Sequence, residues 1–325
     1  MKRSSSSSSS TDTTSTDKTT TSNKRRRATG APQSQLLDRL PSRDSTLDQH
    51  TLVNNLAPSF IAEIRAWLIA SFPGSPEIAT VLLDYVAIHH PTHLRVKELF
   101  ETVEVIKHAG AHIHQHQPPV QVIYDLACGH GLGGVLLGYR FPNIQIYCVD
   151  REQRPCFNSY MEGFQKHGEG TDLKETVHFL EGNVSDSTIA GRTIEPNSYH
   201  VCIHGCNEMS TIALELAQQT NSGYTIVPCC IRSDVFGVRT KSAFNRWKMT
   251  DDIRYAVQVG YLGGKVNCDK IATIDRKITN RNLVLIGTFG REITLKGKPK
   301  RYVYQENKSE IKEDNHKLRT SKHVE

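Results

Sequence analysis

The sequence predicts an α/β fold: a doubly wound, mostly parallel sheet of seven strands, entered through an N-terminal helical lead-in. Three observations carry this expectation. Residues 122–150, VIYDLACGHGLGGVLLGYRFPNIQIYCVD, read as an apolar strand, a glycine-broken turn, a helix and a second apolar strand ending on a carboxylate. Downstream, short apolar runs alternate with helical stretches, as a parallel sheet with crossover helices requires. Upstream, residues 48–116 show three- and four-residue apolar steps and no strand pattern.

The glycine-broken unit places a ligand. Gly129 and Gly131 lack a Cβ, so the chain can turn sharply after the strand Val122–Leu126 and present bare N–H groups. The helix over Leu132–Tyr139 points its positive end at the same spot. Asp150 follows about twenty residues on, where a carboxylate accepts ribose hydroxyls. The spacing Gly129-x-Gly131-x-x-Gly134 also satisfies a dinucleotide pattern. Asp125 opposes that reading, because a carboxylate ahead of the turn repels a diphosphate and suits a ligand carrying an ammonium and a sulfonium. S-adenosyl-L-methionine is such a ligand.

In the lead-in, Phe60, Ile61, Ile64, Trp67, Leu68 and Phe72 mark one helix, stopped by SFPGSP at 71–76. A second is expected near Glu77–Ile88, and a third after Pro91 carries Leu94, Val96, Leu99 and Val103. Past the glycine unit, strand-type runs lie at Val177–Val184, Tyr199–His204, Gly223–Cys230 and Asn282–Phe289. Helices are expected near Cys156–Lys166, Met209–Gln219 and Lys241–Val259.

Four regions follow: a disordered Ser/Thr-rich basic tail (1–47), the helical lead-in or cap (48–118), the catalytic domain (119–305) and a charged C-terminal tail (306–325). No apolar run approaches the roughly 18 residues of a membrane span, and no apolar leader marks secretion. The net charge of +6 is uneven. Residues 1–47 hold nine Lys/Arg against four Asp/Glu and residues 291–325 ten against six, so the tails carry +9 and the rest −3. Attraction for a polyanion therefore resides in the KRRR run at 24–27, which also resembles a nuclear-import signal, or in KGKPKR at 296–301. Eight cysteines without C-x-x-C spacing suggest reduced thiols in a nuclear or cytoplasmic compartment rather than a zinc ribbon. His108, His112 and His116 share a helical face, but no acid or cysteine completes a ligand set, and no metal is expected.

If Tyr199–His204 and Gly223–Cys230 are neighbouring strands, their ends bring His204-Gly205-Cys206-Asn207-Glu208 beside Pro228-Cys229-Cys230, facing the glycine turn. A methyl acceptor would have to lie there. Methyl transfer from a sulfonium is an in-line displacement that needs positioning and, for some acceptors, a base. His204 is the first candidate for that role and Glu208 the second. A polar run at 275–282 precedes the last strand, and Arg276 or Arg281 could meet phosphate or carboxylate on the acceptor.

The spacing Asp125-x-Ala127-x-Gly129-x-Gly131 resembles the first motif of class I methyltransferases, with Ala127 in place of the usual first glycine. Together with the HGC-x-E-x-S run from His204 to Ser210 and Pro228-Cys229-Cys230, it resembles the methyltransferase-domain family that includes methyltransferase-like protein 25 and the C-terminal domain of glutathione S-transferase C-terminal domain-containing protein. Asn207 stands where that family has glycine. A more distant similarity is to a tRNA 2′-O-methyltransferase family. The resemblance covers about residues 95–290 and implies a Rossmann-like class I methyltransferase using S-adenosyl-L-methionine. By analogy it places Asn183 near the adenine, Asp125, Gly129 and Gly131 near the amino-acid moiety, and Cys206 in the cofactor pocket.

The expected activity is methyl transfer to a nitrogen or oxygen of a macromolecule, RNA or protein. Two other readings stand beside it. One is a catalytically silent module of the same fold that works through its tails. The other is an NAD-dependent oxidoreductase, resting on the glycine spacing and on Tyr261 and Lys265; glycines 263 and 264 between that pair disfavour the helix it would need.

Overall fold

The computed structural model describes residues 31–168, 172–184, 188–189, 192–205, 208–229, 248–266 and 268–290. The serine-rich start of the chain, both basic runs, Cys206, Cys230 and the C-terminal tail lie outside the described residues.

A seven-stranded sheet organises the fold. Its strands are β3 (Val122–Leu126), β4 (Gln145–Asp150), β5 (Val177–Glu181), β8 (Tyr199–Ile203), β9 (Gly223–Val227), β10 (Lys270–Thr273) and β11 (Leu283–Thr288), in the spatial order β10-β11-β9-β8-β3-β4-β5. From β9 to β5 all neighbours are parallel, and β11 runs antiparallel to both β9 and β10. This is the doubly wound, Rossmann-like sheet that the sequence predicts, with one strand antiparallel to its neighbours. The chain winds outward from β3 to β5, then returns to β8 and continues the other way. The order thus reverses between β3 and β8, and ligands of such sheets bind beyond the strand ends at the reversal.

The strands read as continuous apolar runs because both faces are covered. Ile123, Ile146, Cys148, Tyr199 and Val201 point to one layer, and Tyr124, Tyr147, Val149, Cys202 and Ile226 to the other. The first layer holds α5 (Val96–Ile113), α6 (Leu132–Arg140) and α7 (Pro155–His167), with α2 (Pro58–Ser71) behind them. The second holds α9 (Met209–Gln219) and the helix Asp251–Lys265, here α10. Between α2 and α5 the chain forms α3 (Glu77–Thr80), a π-helical turn (Val81–Val86) and α4 (Ala87–His89); a short α8 (Leu173–Thr176) leads into β5, and β6 (Thr188–Ile189) pairs with β7 (Arg192–Thr193) before β8.

Several expectations shift. Residues 31–47 are not tail: they form α1 (Ala31–Arg39) and a small hairpin of β1 (Ser42–Arg43) and β2 (Thr46–Leu47). Leu36, Leu37, Leu40 and Leu47 are buried in the first layer and contribute apolar burial against the entropy of ordering the segment. The lead-in is not a separate cap either, since α5 packs directly on α6, β8, β9 and β11. Strand β10 has no apolar signature because three of its four residues are exposed and only Ala272 is buried. Helix α10 continues through Gly260, Gly263 and Gly264, against the expectation that the glycine pair would break it. There tertiary packing overrides propensity: a Cβ on Gly263 would meet the side chains of Cys268 and Leu285 at 3.0 and 3.1 Å, so the missing side chain lets the helix sit close to β11.

Candidate active site

The glycine turn follows β3. Ala127, Gly129 and Gly131 have φ of 54°, 59° and 78°, three left-handed residues in five. Ala127 adopts the conformation for which glycine is usual, a strain that the surrounding packing sustains. A Cβ on Gly131 would lie 2.5 Å from the Phe157 ring, whereas one on Gly129 would meet nothing within 4 Å. Gly129 therefore faces open space at the sheet's carboxyl edge, where a ligand can approach the backbone.

Asp150 ends β4 beside this turn. One of its oxygens accepts the Gly129 N–H at 2.8 Å and the other the Arg151 N–H at 2.7 Å. The carboxylate is half-buried and each oxygen keeps a second lone pair, so a ribose diol can still be accepted. Asn183 lies two residues beyond β5, whose Glu181 pairs with Asp150. That puts Asn183 on the same rim, where the sequence expects the adenine.

Asp125 takes a role different from the one expected. Its side chain is only 2% exposed and accepts the Gly134 N–H at 2.7 Å, fixing the first turn of α6 from below. It therefore braces the turn from inside instead of meeting an ammonium group at the surface. Burial pushes its carboxyl up to about 7, the Gly134 N–H opposes that rise, and the nearby Asp150 charge adds to it. Beneath the turn, the Cys128 and Cys148 thiols are hydrogen-bonded. Cys128 is raised well above its usual value by that bond and by burial.

His204 leaves β8 beside the turn. Asp125 of β3 stands opposite Val201, so three residues later His204 is level with Cys128. Its φ of 55° is again left-handed, a region that histidine enters more readily than β-branched residues do. The ring is about one-fifth exposed, and its Nε2 lies 3.2 Å from Oε1 of Glu101 on α5. Glu101 is 6% exposed and has Lys97 Nζ at 3.9 Å. One turn earlier on α5, Glu98 lies 3.7 Å from Nε2 of His130, a residue of the glycine turn whose Nδ1 accepts the Leu132 N–H at 3.2 Å. Burial lowers the His130 pKa, against the raising influence of Glu98.

The remaining candidates scatter. Glu208 caps the start of α9 and is exposed, while Pro228 and Cys229 are buried behind the end of β9. Arg276 and Arg281 reach the same sheet edge, but Arg276 pairs with Asp252 and Arg281 stacks 4.9 Å from the Tyr255 ring centre, both on α10. Tyr261 is half exposed on the outer side of α10. His112 bonds the Tyr199 hydroxyl at 2.8 Å and His116 the Pro118 carbonyl at 2.8 Å. Among the described residues no three His, Cys, Asp or Glu side chains group as metal ligands.

Glu98 and Glu101 escaped the sequence reading. The available signal was an acid at 101 within a helix whose neighbouring positions 99, 100, 102 and 103 are all buried.

Residues 95–233 match the model of a family described as a methyltransferase domain. The match covers less than half of the chain. It spans α5 to the end of β9 and so contains Glu101, the glycine turn, Asp150 and His204. No curated protein matches the chain. Solved structures with similar folds include magnesium protoporphyrin IX methyltransferase (ChlM) from Synechocystis PCC 6803 with bound SAM, at 9% identity over 59% of this chain and 80% of that one, TM-score 0.38. TrmK from M. capricolum in complex with S-adenosyl-homocysteine is similar at 15% identity over 59% and 69%, TM-score 0.34. A candidate O-methyltransferase from Nostoc punctiforme PCC 73102 is similar at 11% identity over 66% of this chain, TM-score 0.35, and the match spans 62% of that protein's length.

Proposed function

We propose that the methyltransferase domain uses S-adenosyl-L-methionine to methylate a nitrogen or oxygen of a macromolecule, RNA or protein. The observation that carries the donor assignment is the pairing of Gly129, open on its Cβ side, with the anchored Asp150 carboxylate. This juxtaposition suits a nucleoside: the backbone can approach closely, and a fixed acceptor waits for the ribose hydroxyls. Asn183 would contact the adenine and the N-terminus of α6 would lie by the amino-acid moiety. The donor supplies an electrophilic methyl carbon, and the chain's own residues orient it and receive the acceptor's proton.

His204 is the base in this reading. It stands at the reversal point of the sheet, and its left-handed backbone ends β8 there. The shared HGC run and Pro-Cys-Cys support a place in the family that includes methyltransferase-like protein 25. A macromolecular acceptor is supported by the tail charges, which bracket a body of opposite sign.

The test is a thermal-shift titration of the full chain with S-adenosylhomocysteine and, separately, NADH, followed by tritiated-methyl transfer to RNA and protein fractions of a cell extract. At a hundredfold excess over Kd a native-state ligand adds about 2.7 kcal/mol, a shift on the order of 5–10 °C. A shift with NADH alone would replace this reading with the oxidoreductase. Donor binding with no methyl incorporation would favour the silent module. RNA methylation that falls steeply with salt would select the RNA acceptor.

A further inference from the structure

Two histidines of the site face two carboxylates of one helix, and their other ring nitrogens differ. His130 turns Nε2 toward Glu98 and has Nδ1 occupied by the Leu132 N–H. The sealed Nε2 of His204 lies 3.2 Å from Oε1 of Glu101, within ion-pair reach but short of hydrogen-bond alignment, while Nδ1 is not among the sealed, unpartnered atoms of the described residues. A buried ring nitrogen 3.2 Å from a buried carboxylate is stable only as N–H, because two lone pairs facing each other would repel. The Lys97 ammonium lies 3.9 Å from the same Glu101 oxygen and helps keep that carboxylate charged.

We infer that Glu101 is a positioning residue that fixes His204 with the proton on Nε2, leaving Nδ1 as the base for the acceptor. The inference rests on the methyl-transfer reading above. In the step it serves, the acceptor's O–H or N–H lone pair forms the bond to the methyl carbon. The carbon–sulfur bond breaks and its electron pair neutralises the sulfonium, and the acceptor's proton passes to Nδ1. The acceptor class is thus a hydroxyl or N–H that must lose a proton to be methylated. His130 cannot substitute, since its Nδ1 already holds the turn.

Nitrogen-15 spectra of the full chain with labelled histidine, bound to S-adenosylhomocysteine, test this directly; His204 is assigned by its loss in H204Q. The neutral His204 ring is expected to carry its proton on Nε2 in the unmodified protein. In E101L the share carrying it on Nδ1 should rise several-fold, and tritiated-methyl transfer should fall tenfold or more, with S-adenosylhomocysteine affinity unchanged within twofold. E101Q keeps shape and an acceptor oxygen, so it should hold the tautomer yet shift the Nε2 resonance, and it decides the matter if E101L fails to fold. A proton on Nδ1 in the unmodified protein, an unchanged tautomer in E101L, or an unmoved Nε2 resonance in E101Q overturns the assignment. Absence of S-adenosylhomocysteine binding to the unmodified protein would instead remove the methyl-transfer reading itself.

Discussion

The Asp150 carboxylate accepts the backbone N–H of Gly129 across the gap between two parallel strands, at 2.8 Å. One side chain thereby shapes the glycine turn and keeps acceptor capacity at the sheet's carboxyl edge, where the proposal puts the ribose. Asp150→Ala should weaken S-adenosylhomocysteine binding by about 10- to 150-fold, equivalent to roughly 1.5–3 kcal/mol, through loss of charge-assisted hydrogen bonds. Calorimetric titration measures this. An affinity within twofold of the unmodified protein would move the ribose elsewhere.

Gly134 sits against Cys148: an added Cβ would lie 2.2 Å from Sγ, far inside contact distance. Gly134→Ala should therefore destabilise the fold by about 1–3 kcal/mol, as overpacking typically does. Cys148→Ala in the same chain should restore at least half of the loss. Urea denaturation of the two single variants and the double variant gives the coupling, and strict additivity would show that the clash is relieved by backbone movement instead.

Asp125 predicts a pH dependence. Its carboxyl sits at about 7 in the folded protein against an ordinary 3.8, chiefly because it is buried. Between these values the native state keeps a proton that the unfolded chain has lost. The contribution is thus complete below about pH 4 and is lost as pH rises through about 7, amounting to a few kcal/mol at most. Asp125→Asn keeps an oxygen for the Gly134 N–H and should flatten that part of the stability profile. An identical slope in both proteins, by denaturation from pH 5 to 8, would rule out Asp125 as its source.

The segment before residue 48 should behave as part of the core. Leu37 and Leu40 are 2% and 3% exposed against the first layer, and Leu47 donates its N–H to the Lys277 carbonyl at 2.7 Å. Leu40→Ala should cost about 2–5 kcal/mol. A melting temperature unchanged by that substitution would return the segment to the status of a tail.

The sequence by itself determined the α/β class, the glycine turn with the carboxylate that ends the next strand, and most of the element order. Those features are local: a glycine turn needs its glycines within a few residues, and a strand covered on both faces must be apolar throughout. For the same reason α9 is found at Met209–Gln219, where the periodicity puts it. Strand β10 was illegible because only one of its residues is buried, and so was the end of α10 beyond Val259, where close packing at Gly263 outweighs weak helix propensity. The catalytic half also depends on distance in the chain. His204 and Glu101 are about one hundred residues apart, and only the packing of α5 against β8 and β9 brings Nε2 near Oε1. Asp125 shows the converse: its spacing marked it as important, but only the burial under α6 decided that it braces the turn rather than meeting the ligand.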